Sequence, residues 1–333
     1  MMNIWASMEF NPDIYSFLRP LFLLACLCLT VLIWRKSPLE RRIKDAAVVA
    51  GIVHFLTSLI VDLLLVQSNV YRYAFHRSLY FGVPVDLHLA WASLWGTGFC
   101  LIWDSMRPVW RLWFWLGVVL LTFSWDLLIV SNGSILEQIS PHWWKWDLAV
   151  LSGLPLVALL FFSLVKHDIA RIFRALFYAF AYFVIFYILL PTLILQLGHN
   201  RIACPHLSWW SEAVWAIVLF SLPGLWAAVK FALSGRGTPL PLDPTQVLVT
   251  SGPYAFVRNP MQLSSVTVAI ILAVFFNSIY LWIYCLDLVI LLQFTHPWEE
   301  AELEKRFGAD YLAYATSVRR WVPRFTPYHR NQG

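Results

Sequence analysis

The sequence predicts an all-α fold: a polytopic transmembrane helical bundle of about nine spans, with a C-terminal helical hairpin and cytoplasmic cofactor-binding segments. Of its 333 residues, 60% are hydrophobic and only 13% are charged, and the mean hydropathy is +0.66. Soluble domains carry about twice that charged fraction. The apolar residues form long runs, and a helix of about 20 such residues crosses a bilayer. A soluble globule and a disordered chain are therefore excluded.

Seven single runs and one double run account for the nine predicted spans. The single runs are residues 15–34, 46–67, 83–103, 109–130, 147–165, 172–197 and 209–233. The last apolar stretch, residues 263–294, is too long for one helix and is interrupted by Asn277 and Ser278. Such an interruption predicts a tight hairpin of two helices. The run at residues 15–34 is followed by Arg35 and Lys36 rather than small residues, so we expect a span and not a cleaved signal.

The distribution of Lys and Arg predicts the orientation, because these residues accumulate in cytoplasmic loops. With the N-terminus outside, the cytoplasmic segments carry 19 of the 24 basic residues and the other side carries five. The C-terminal tail is then cytoplasmic, and the net charge of +5 favours contact with anionic lipid head groups. No basic stripe with nucleic-acid spacing is present, so no nucleic-acid partner is expected. Without a retention signal at the C-terminus, a bacterial inner membrane is favoured over the endoplasmic reticulum.

Two parts are predicted, a four-span N-terminal extension of unassigned role at residues 1–146 and a five-span core at residues 147–333. The longest polar segments, residues 234–262 and 296–333, are far shorter than a nucleotide-binding Rossmann domain. The stretch Gly96-Thr97-Gly98 lacks the third glycine and the preceding strand of a dinucleotide fingerprint. Inside a span, such small residues predict close packing of helices.

Two polar segments flank the predicted hairpin and carry the most informative pattern. The first follows a Pro-rich stretch at residues 237–241 and reads QVLVTSGPY at residues 246–254 and VRNPMQ at residues 257–262. The second reads EEAEL at residues 299–303 and RFG at residues 306–308, followed by Tyr311 and Tyr314. In this order the segments resemble the isoprenylcysteine carboxyl methyltransferase family and its relatives, the phospholipid N-methyltransferases and bacterial homologues.

The resemblance implies an integral-membrane methyltransferase that binds S-adenosylmethionine (SAM) at the cytoplasmic face, beneath a cavity open to lipid. The cofactor-binding positions that it implies are Gln246, Val247, Leu248, Val249, Tyr254, Arg258, Asn259, Pro260, Met261, Gln262, Glu299 and Glu300. The residues predicted to take part in catalysis are Arg258, Glu300 and His296. The expected partners are a lipophilic or prenylated substrate from the bilayer and the membrane lipids, and the oligomeric state stays open.

The chemistry of SAM supports these positions independently of the resemblance. Arg258 can donate two parallel hydrogen bonds to the cofactor's carboxylate. Glu299 or Glu300 can accept hydrogen bonds from the ribose hydroxyls or the ammonium. Tyr254 can cover the adenine or the cation. The sulfonium already activates the methyl group, so the protein needs chiefly to position a nucleophile and exclude water. No metal ion or covalent nucleophile is required. Taken singly, each of these residues also fits a place at the membrane interface.

The sequence departs from the family pattern at three places, and the third bears on the acceptor. Gln262 and Ser264 replace a common Tyr and Gly, and Ala301 replaces a proline after the acidic pair. The carboxyl methyltransferases also have an Arg shortly before that pair, whereas residues 293–297 read QFTHP here. His296 is the substitute donor or general base. The acceptor therefore need not be a prenylcysteine carboxylate, and phospholipid N-methylation is the first alternative.

Two further alternatives remain from the sequence. The first four spans contain ionisable residues, and an intramembrane charge indicates function by default. Acid-initiated isoprenoid cyclisation or hydration by Asp62 or Asp126 is one hypothesis, and pairing between helices or a place at the interface is the favoured structural explanation. A carrier or structural membrane protein with a degenerate signature is the other. The tail at residues 318–324 is predicted to be an interfacial anchor rather than a catalytic element.

Overall fold

The computed structural model describes residues 12–73, 82–131, 136–138, 140–197, 208–238 and 245–329. Within these ranges the chain is helical apart from short loops and one pair of three-residue strands. Two compact units form, Met1–Ile169 and Ala170–Gly333. The all-α prediction is confirmed, and each unit is described below by itself.

Unit 1 contains five helices, of which the largely buried α2 is the central one. The helices are α1 (Pro12–Lys36), α2 (Arg41–Gln67), α3 (Val85–Ser105), α4 (Pro108–Ser131) and α5 (Trp143–Lys166). Helix α3 includes a π-helical stretch, Ala92–Gly98. Strands β1 (Tyr71–Tyr73) and β2 (Leu136–Gln138) pair antiparallel, with Tyr71 opposite Gln138.

Small residues bring α2 and α3 into close contact. A Cβ placed on Gly51 would lie 2.2 Å from Thr97 Oγ1, and one on Gly96 would lie 2.6 Å from Gly51 Cα. Neither position has room for a side chain, because Gly51 meets the Thr97 side chain and Gly96 meets the backbone of Gly51. The predicted role of Gly96-Thr97-Gly98 in helix packing is confirmed.

Several aspartates predicted within or beside the first spans form pairs inside unit 1. Asp62 contacts His88, Asp86 accepts from Arg19, and Asp104 contacts Lys166. Pairing of this kind is the usual fate of a charge within a helical bundle. The structural explanation of these residues is thus confirmed for Asp62, Asp86 and Asp104.

Unit 2 contains the remaining helices and the predicted hairpin. Helix α6 consists of the stretches Arg171–Phe183, Val184–Leu189 and Leu190–Leu197, the middle one π-helical, and α7 spans Ser208–Ser234. A 3₁₀ turn, Gly252–Ala255, precedes α8 (Pro260–Phe275), α9 (Ile279–Phe307) and α10 (Ala309–Ser317). The hairpin of α8 and α9 turns at Asn277, whose φ is 44°, so the predicted interruption is confirmed.

Eight helices in the described ranges are long and apolar enough to cross a membrane, and α8 is a shorter apolar helix of 16 residues. Together they correspond to the nine predicted spans. The last helix differs in length, because α9 continues to Phe307 and the predicted apolar stretch ends at residue 294. Glu, Ala, Leu and Lys after Pro297 are good helix formers and continue the helix. The acidic pair therefore lies on α9 itself.

The boundary between the units differs from the predicted one between residues 146 and 147. Helix α5 packs within unit 1, so unit 2 contains four of the five helices assigned to the core. The division of function between an extension and a core stays a prediction. Residues 239–241 of the Pro-rich stretch lie outside the described residues.

Candidate functional site at the polar end of the hairpin

The loop between α7 and α8 is held against the end of α7 by its backbone. The carbonyl of Gly235 accepts hydrogen bonds from the backbone N–H groups of Gln246, at 2.7 Å, and Val247, at 3.1 Å. A Cβ on Gly235 would lie 2.7 Å from Thr245 Cγ2 and 2.8 Å from Val249 Cγ2. The loop can approach this closely only because residue 235 is glycine.

An apolar cluster fixes the 3₁₀ turn and Tyr254. The cluster consists of Ala227, Phe231, Val249, Tyr254 and Met261. The ring of Tyr254 is 5% exposed and stacks on Phe231 with the centroids 4.9 Å apart. Burial raises the pKa of Tyr254, with smaller contributions from Tyr314 and Glu299. The phenol therefore stays protonated at neutral pH, and its hydroxyl has no hydrogen-bond partner among the residues that the structure describes.

The start of α8 places three predicted residues side by side. Pro260 occupies the first helical position, where its missing N–H costs nothing. Asn259 precedes it, and the backbone N–H of Arg258 donates to the carbonyl of Arg319 at 3.0 Å. The Arg258 side chain is 16% exposed and its Nη1 lies 3.0 Å from Glu300 Oε1.

The two glutamates of the acidic pair have different surroundings. Glu300 contacts Arg258 and also accepts two hydrogen bonds from Arg320, one from Nε at 3.1 Å and one from Nη2 at 2.5 Å. Glu299 is 55% exposed and has only long contacts. Its Oε2 lies 3.4 Å from Gln262 Nε2 and 3.6 Å from His296 Nδ1.

His296 lies inside the site rather than on its surface. Its side chain is 1% exposed. The amide nitrogen of Asn259 lies 3.3 Å from Nε2 and 3.4 Å from Nδ1. The Trp321 ring meets the imidazole edge to face with the centroids 5.0 Å apart. His296 thus connects α9 with the loop before α8 and with the tail.

The C-terminal tail forms part of the site, which the sequence analysis did not predict. Besides the bond from Arg258 to Arg319, the backbone N–H of Arg324 donates to Phe256 and that of Tyr328 donates to Ala255, each at 2.9 Å. Arg320 and Trp321 reach the acidic pair and His296 from this tail. The signal in the sequence was the dipeptide Arg319-Arg320 followed by an aromatic residue, which equally fits an interfacial anchor.

The two tyrosines of the second segment support the same loop. The Tyr314 hydroxyl donates to the carbonyl of Tyr254 at 2.7 Å. Tyr311 and Tyr314 pack with Val318, and Leu248 lies against this cluster. Burial is the main cause that raises the pKa of both phenols, so both remain hydrogen-bond donors at neutral pH.

The predicted site residues separate into three groups by position. Those connected by polar contacts at the end of the hairpin are Arg258, Asn259, Gln262, His296, Glu299 and Glu300. Those packed beneath the loop are Leu248, Val249, Tyr254, Pro260 and Met261. Gln246 and Val247 are exposed beside Gly235. A cavity of about 420 Å³ beside the tail is lined by Ser317, Arg324 and Tyr328, among others, and by none of the predicted residues.

The polar groups at this site fit a ligand with both an anionic and a cationic end. Among the predicted site residues, three buried polar atoms have no partner in the described part of the chain, namely Tyr254 Oη, Arg258 Nε and Gln262 Oε1. Orphaned polar atoms are rare in a finished core. The guanidinium of Arg258 and the weakly paired carboxylate of Glu299 are groups that could bind the carboxylate and the ammonium of SAM. In the described part of the chain, no group of three or more His, Cys, Asp and Glu residues could hold a metal ion.

Apolar spans and a polar cluster at the end of a hairpin define an integral, multi-pass membrane protein with an enzyme-like site. The comparison with protein families makes this more specific. Residues 213–310 match the family model described as phospholipid methyltransferase. The match covers 98 of the 333 residues, and for this segment the resemblance noted in the sequence is confirmed. Neither the curated proteins nor the solved structures gave a match to the chain.

Proposed function

We propose that this protein is a SAM-dependent methyltransferase that modifies a lipophilic acceptor entering from the bilayer. The observation that carries the proposal is the Arg258–Glu300 contact of 3.0 Å, with Glu299 beside it. It joins the two halves of the signature inside the segment that matches the family model. The two halves are separated by the whole hairpin in sequence, so their meeting supports one shared site.

Each side chain has a defined task in this proposal. Arg258 binds the carboxylate of the cofactor, and one carboxylate of the acidic pair, Glu299 or Glu300, accepts from its ammonium or ribose hydroxyls. Bound SAM supplies a methyl group activated by its sulfonium. Tyr254 contributes a buried wall and a free hydroxyl, and its stacking on Phe231 keeps the loop closed to water. Asn259 and Gln262 complete the polar surface at the start of α8.

Apolar side chains exposed on α9 beside the site support a lipophilic acceptor. Trp298, one residue before Glu299, is 76% exposed, and Phe294, five residues before it, is 72% exposed. In a membrane protein such side chains face lipid. The sequence favours a prenylcysteine-like carboxylate acceptor, with methylation at oxygen.

Phospholipid N-methylation is the second candidate, and two observations favour it. The matching family model is that of phospholipid methyltransferases. The substitute donor His296 is 1% exposed, so its imidazole does not face outward to bind a substrate carboxylate. An amine acceptor needs no such donor. In both candidates the N-terminus lies outside and the C-terminus in the cytoplasm, and the membrane is a bacterial inner membrane.

Calorimetry on the detergent-purified protein tests the cofactor site. We expect SAM to bind the wild type with a micromolar dissociation constant and to bind Glu300→Ala at least about tenfold more weakly, a loss of about 1.4 kcal/mol. Glu302→Ala is the matched control, since Glu302 is exposed on the same helix. A folded wild type that does not bind SAM would refute the proposal.

Transfer of labelled methyl from SAM to membrane extracts identifies the acceptor. Base-labile methyl esters indicate carboxyl methylation, and label in choline-type lipids indicates phospholipid N-methylation. Label in neither fraction, from a protein that binds SAM, would contradict both candidates.

A further inference from the structure

We propose that the acidic pair is divided in function, and this inference rests on the function proposed above. Glu299 is the carboxylate that accepts from the ammonium or ribose hydroxyls of the cofactor. Glu300 is a positioning residue, held together with Arg258 by Arg320 of the C-terminal tail. The tail is therefore a component of the cofactor site, and the carboxylate-binding arginine depends on it.

The geometry of a helix separates the two glutamates. Consecutive residues on an α-helix point about 100° apart, so Glu299 and Glu300 face different neighbours. Glu299 shares a face with His296, one turn earlier, and lies opposite Gln262. Glu300 faces Arg258 and Arg320. One ligand group cannot engage both carboxylates in the same way.

The oxygens of Glu300 are already occupied. Oε1 takes a contact from Arg258 at 3.0 Å and a hydrogen bond from Arg320 Nε at 3.1 Å, and Oε2 takes one from Arg320 Nη2 at 2.5 Å. The two bonds from Arg320 form the fork that guanidinium and carboxylate prefer. A ligand would have to displace these charge-assisted bonds to reach Glu300.

The Glu299 carboxylate, unlike that of Glu300, is available to accept hydrogen bonds from a ligand. It is 55% exposed, and its two contacts, at 3.4 Å and 3.6 Å, are long for a hydrogen bond. It lies near the partnerless hydroxyl of Tyr254 and the partnerless Oε1 of Gln262. A carboxylate with weak protein partners beside orphaned polar atoms is placed to accept from a ligand.

Charge balance explains why a second arginine is useful. A single Glu300 beside Arg258 would neutralise the guanidinium and weaken its hold on an anion. Two arginines against one carboxylate leave a net positive charge, and Arg258 Nε has no partner. The tail fixes Arg320 through three backbone bonds to residues 255–258, each of 2.9–3.0 Å. Glu300 then anchors Arg258 without cancelling the positive charge of the Arg258–Arg320 pair.

Calorimetry with two probes tests this division on the full-length protein in detergent. SAM carries the carboxylate and ammonium, whereas 5′-methylthioadenosine shares the adenosine and sulfur but lacks both charged groups. We expect Arg320→Ala to weaken SAM binding about five- to tenfold and methylthioadenosine binding less than about twofold. Arg320→Lys should restore part of the loss, because an ammonium keeps the charge but cannot form the fork.

Two matched comparisons complete the experiment. Arg319→Ala is the control for Arg320, because the Arg319 side chain is exposed and only its backbone contacts Arg258. Glu299→Gln should weaken SAM binding at least about tenfold. Glu300→Gln should weaken SAM binding about as much as Arg320→Ala does. Adding Arg320→Ala to Glu300→Gln should weaken binding no further, because both substitutions remove the same contact.

The outcomes separate this inference from the proposed function. Equal SAM affinity in Arg320→Ala and Arg319→Ala overturns the role of Arg320, and unchanged affinity in Glu299→Gln overturns the role of Glu299. A general loss of structure in Arg320→Ala would weaken the binding of SAM and of methylthioadenosine equally. That result would also count against the inference. Failure of the wild type to bind either probe refutes the proposed function and the assignment of Glu299. Amide hydrogen exchange of residues 318–328 then tests the tail contact by itself. Arg320→Ala should accelerate this exchange, and Arg319→Ala should leave it unchanged.

Discussion

The polar cluster around Asp62 in unit 1 and the polar site around Glu299 in unit 2 contain similar residue types. The carboxylate has close partners in the first and only distant ones in the second. In unit 1, Asp62 is 5% exposed and accepts from Tyr73 at 2.8 Å and from Tyr71, and His88 Nε2 lies 2.9 Å away. The other ring nitrogen of His88 lies 3.1 Å from Ser58 Oγ. In unit 2, Glu299 is 55% exposed and has no contact shorter than 3.4 Å in the described residues.

The difference separates two uses of a charge in a membrane protein. A buried charge that is fully hydrogen-bonded fixes the arrangement of helices, and the Asp62 cluster connects α2, α3 and β1 in this way. A carboxylate with weak protein partners retains acceptor capacity for a ligand. Two atoms near the Asp62 cluster, His54 Nδ1 and Asp147 Oδ2, also lack partners. The hypothesis of an N-terminal cyclase activity by Asp62 or Asp126 therefore stays a prediction.

The largest expected effect is on stability and comes from Asp62→Ala. Three donors lose their acceptor, and hydrogen bonds inside membrane proteins contribute about 0.6–1.7 kcal/mol each. We expect the free energy of unfolding to fall by about 2–5 kcal/mol, measured by thermal or denaturant unfolding in detergent. The remaining folded protein should bind SAM with wild-type affinity. A variant that keeps its stability but loses a lipid-modifying activity would reverse the comparison and make the cluster a functional site.

We expect Arg258→Ala to weaken SAM binding strongly and to change stability little. Loss of a charge-assisted contact to the cofactor carboxylate should weaken SAM binding about 30- to 150-fold, or about 2–3 kcal/mol. The side chain is partly exposed and its loss leaves Glu300 paired with Arg320. Stability should therefore change by less than about 1 kcal/mol. Calorimetry and unfolding on the same preparation measure both, with Arg319→Ala as control; a large loss of stability with intact binding would contradict the site.

Most of the fold and part of the site followed from the sequence for physical reasons. The spans were predicted because a bilayer requires long apolar helices, and the hairpin was predicted because Asn277 and Ser278 interrupt the last run. The local sequence did not reveal that α9 continues through Pro297 to Phe307, which places Glu299 and Glu300 on a rigid helix. Nor did it reveal Arg320, because a contact with a partner twenty residues away depends on tertiary packing and leaves no periodic pattern.

The contact between α7 and α8 predicts a smaller effect in unit 2. A Cβ on Gly224 would lie 2.9 Å from Ser264 Cβ and 3.1 Å from its Oγ, so the helices cannot keep their distance in Gly224→Ala. We expect a loss of about 1–2 kcal/mol of stability and weaker SAM binding, because α8 carries Gln262. Ser264→Gly should restore both in the double variant, since it removes the atoms that clash. Persistence of the loss in that double variant would show that Gly224 acts through its backbone alone.

The smallest expected effect has the opposite sign and comes from Gly153→Ala in α5 of unit 1. A Cβ at this position would meet nothing within 4 Å, so alanine adds no clash. Glycine in a helix costs about 0.5–1 kcal/mol relative to alanine because it has more conformational freedom to lose. We expect unfolding in detergent to show a gain of about 0.5 kcal/mol, with Gly117→Ala in α4, which is equally open, behaving alike. Compared with the loss in Gly224→Ala, this gain would show that a neighbouring helix, and not helix propensity, decides where glycine is required. A loss of stability at Gly153 would instead indicate that its open side receives a partner, such as another subunit or an ordered lipid.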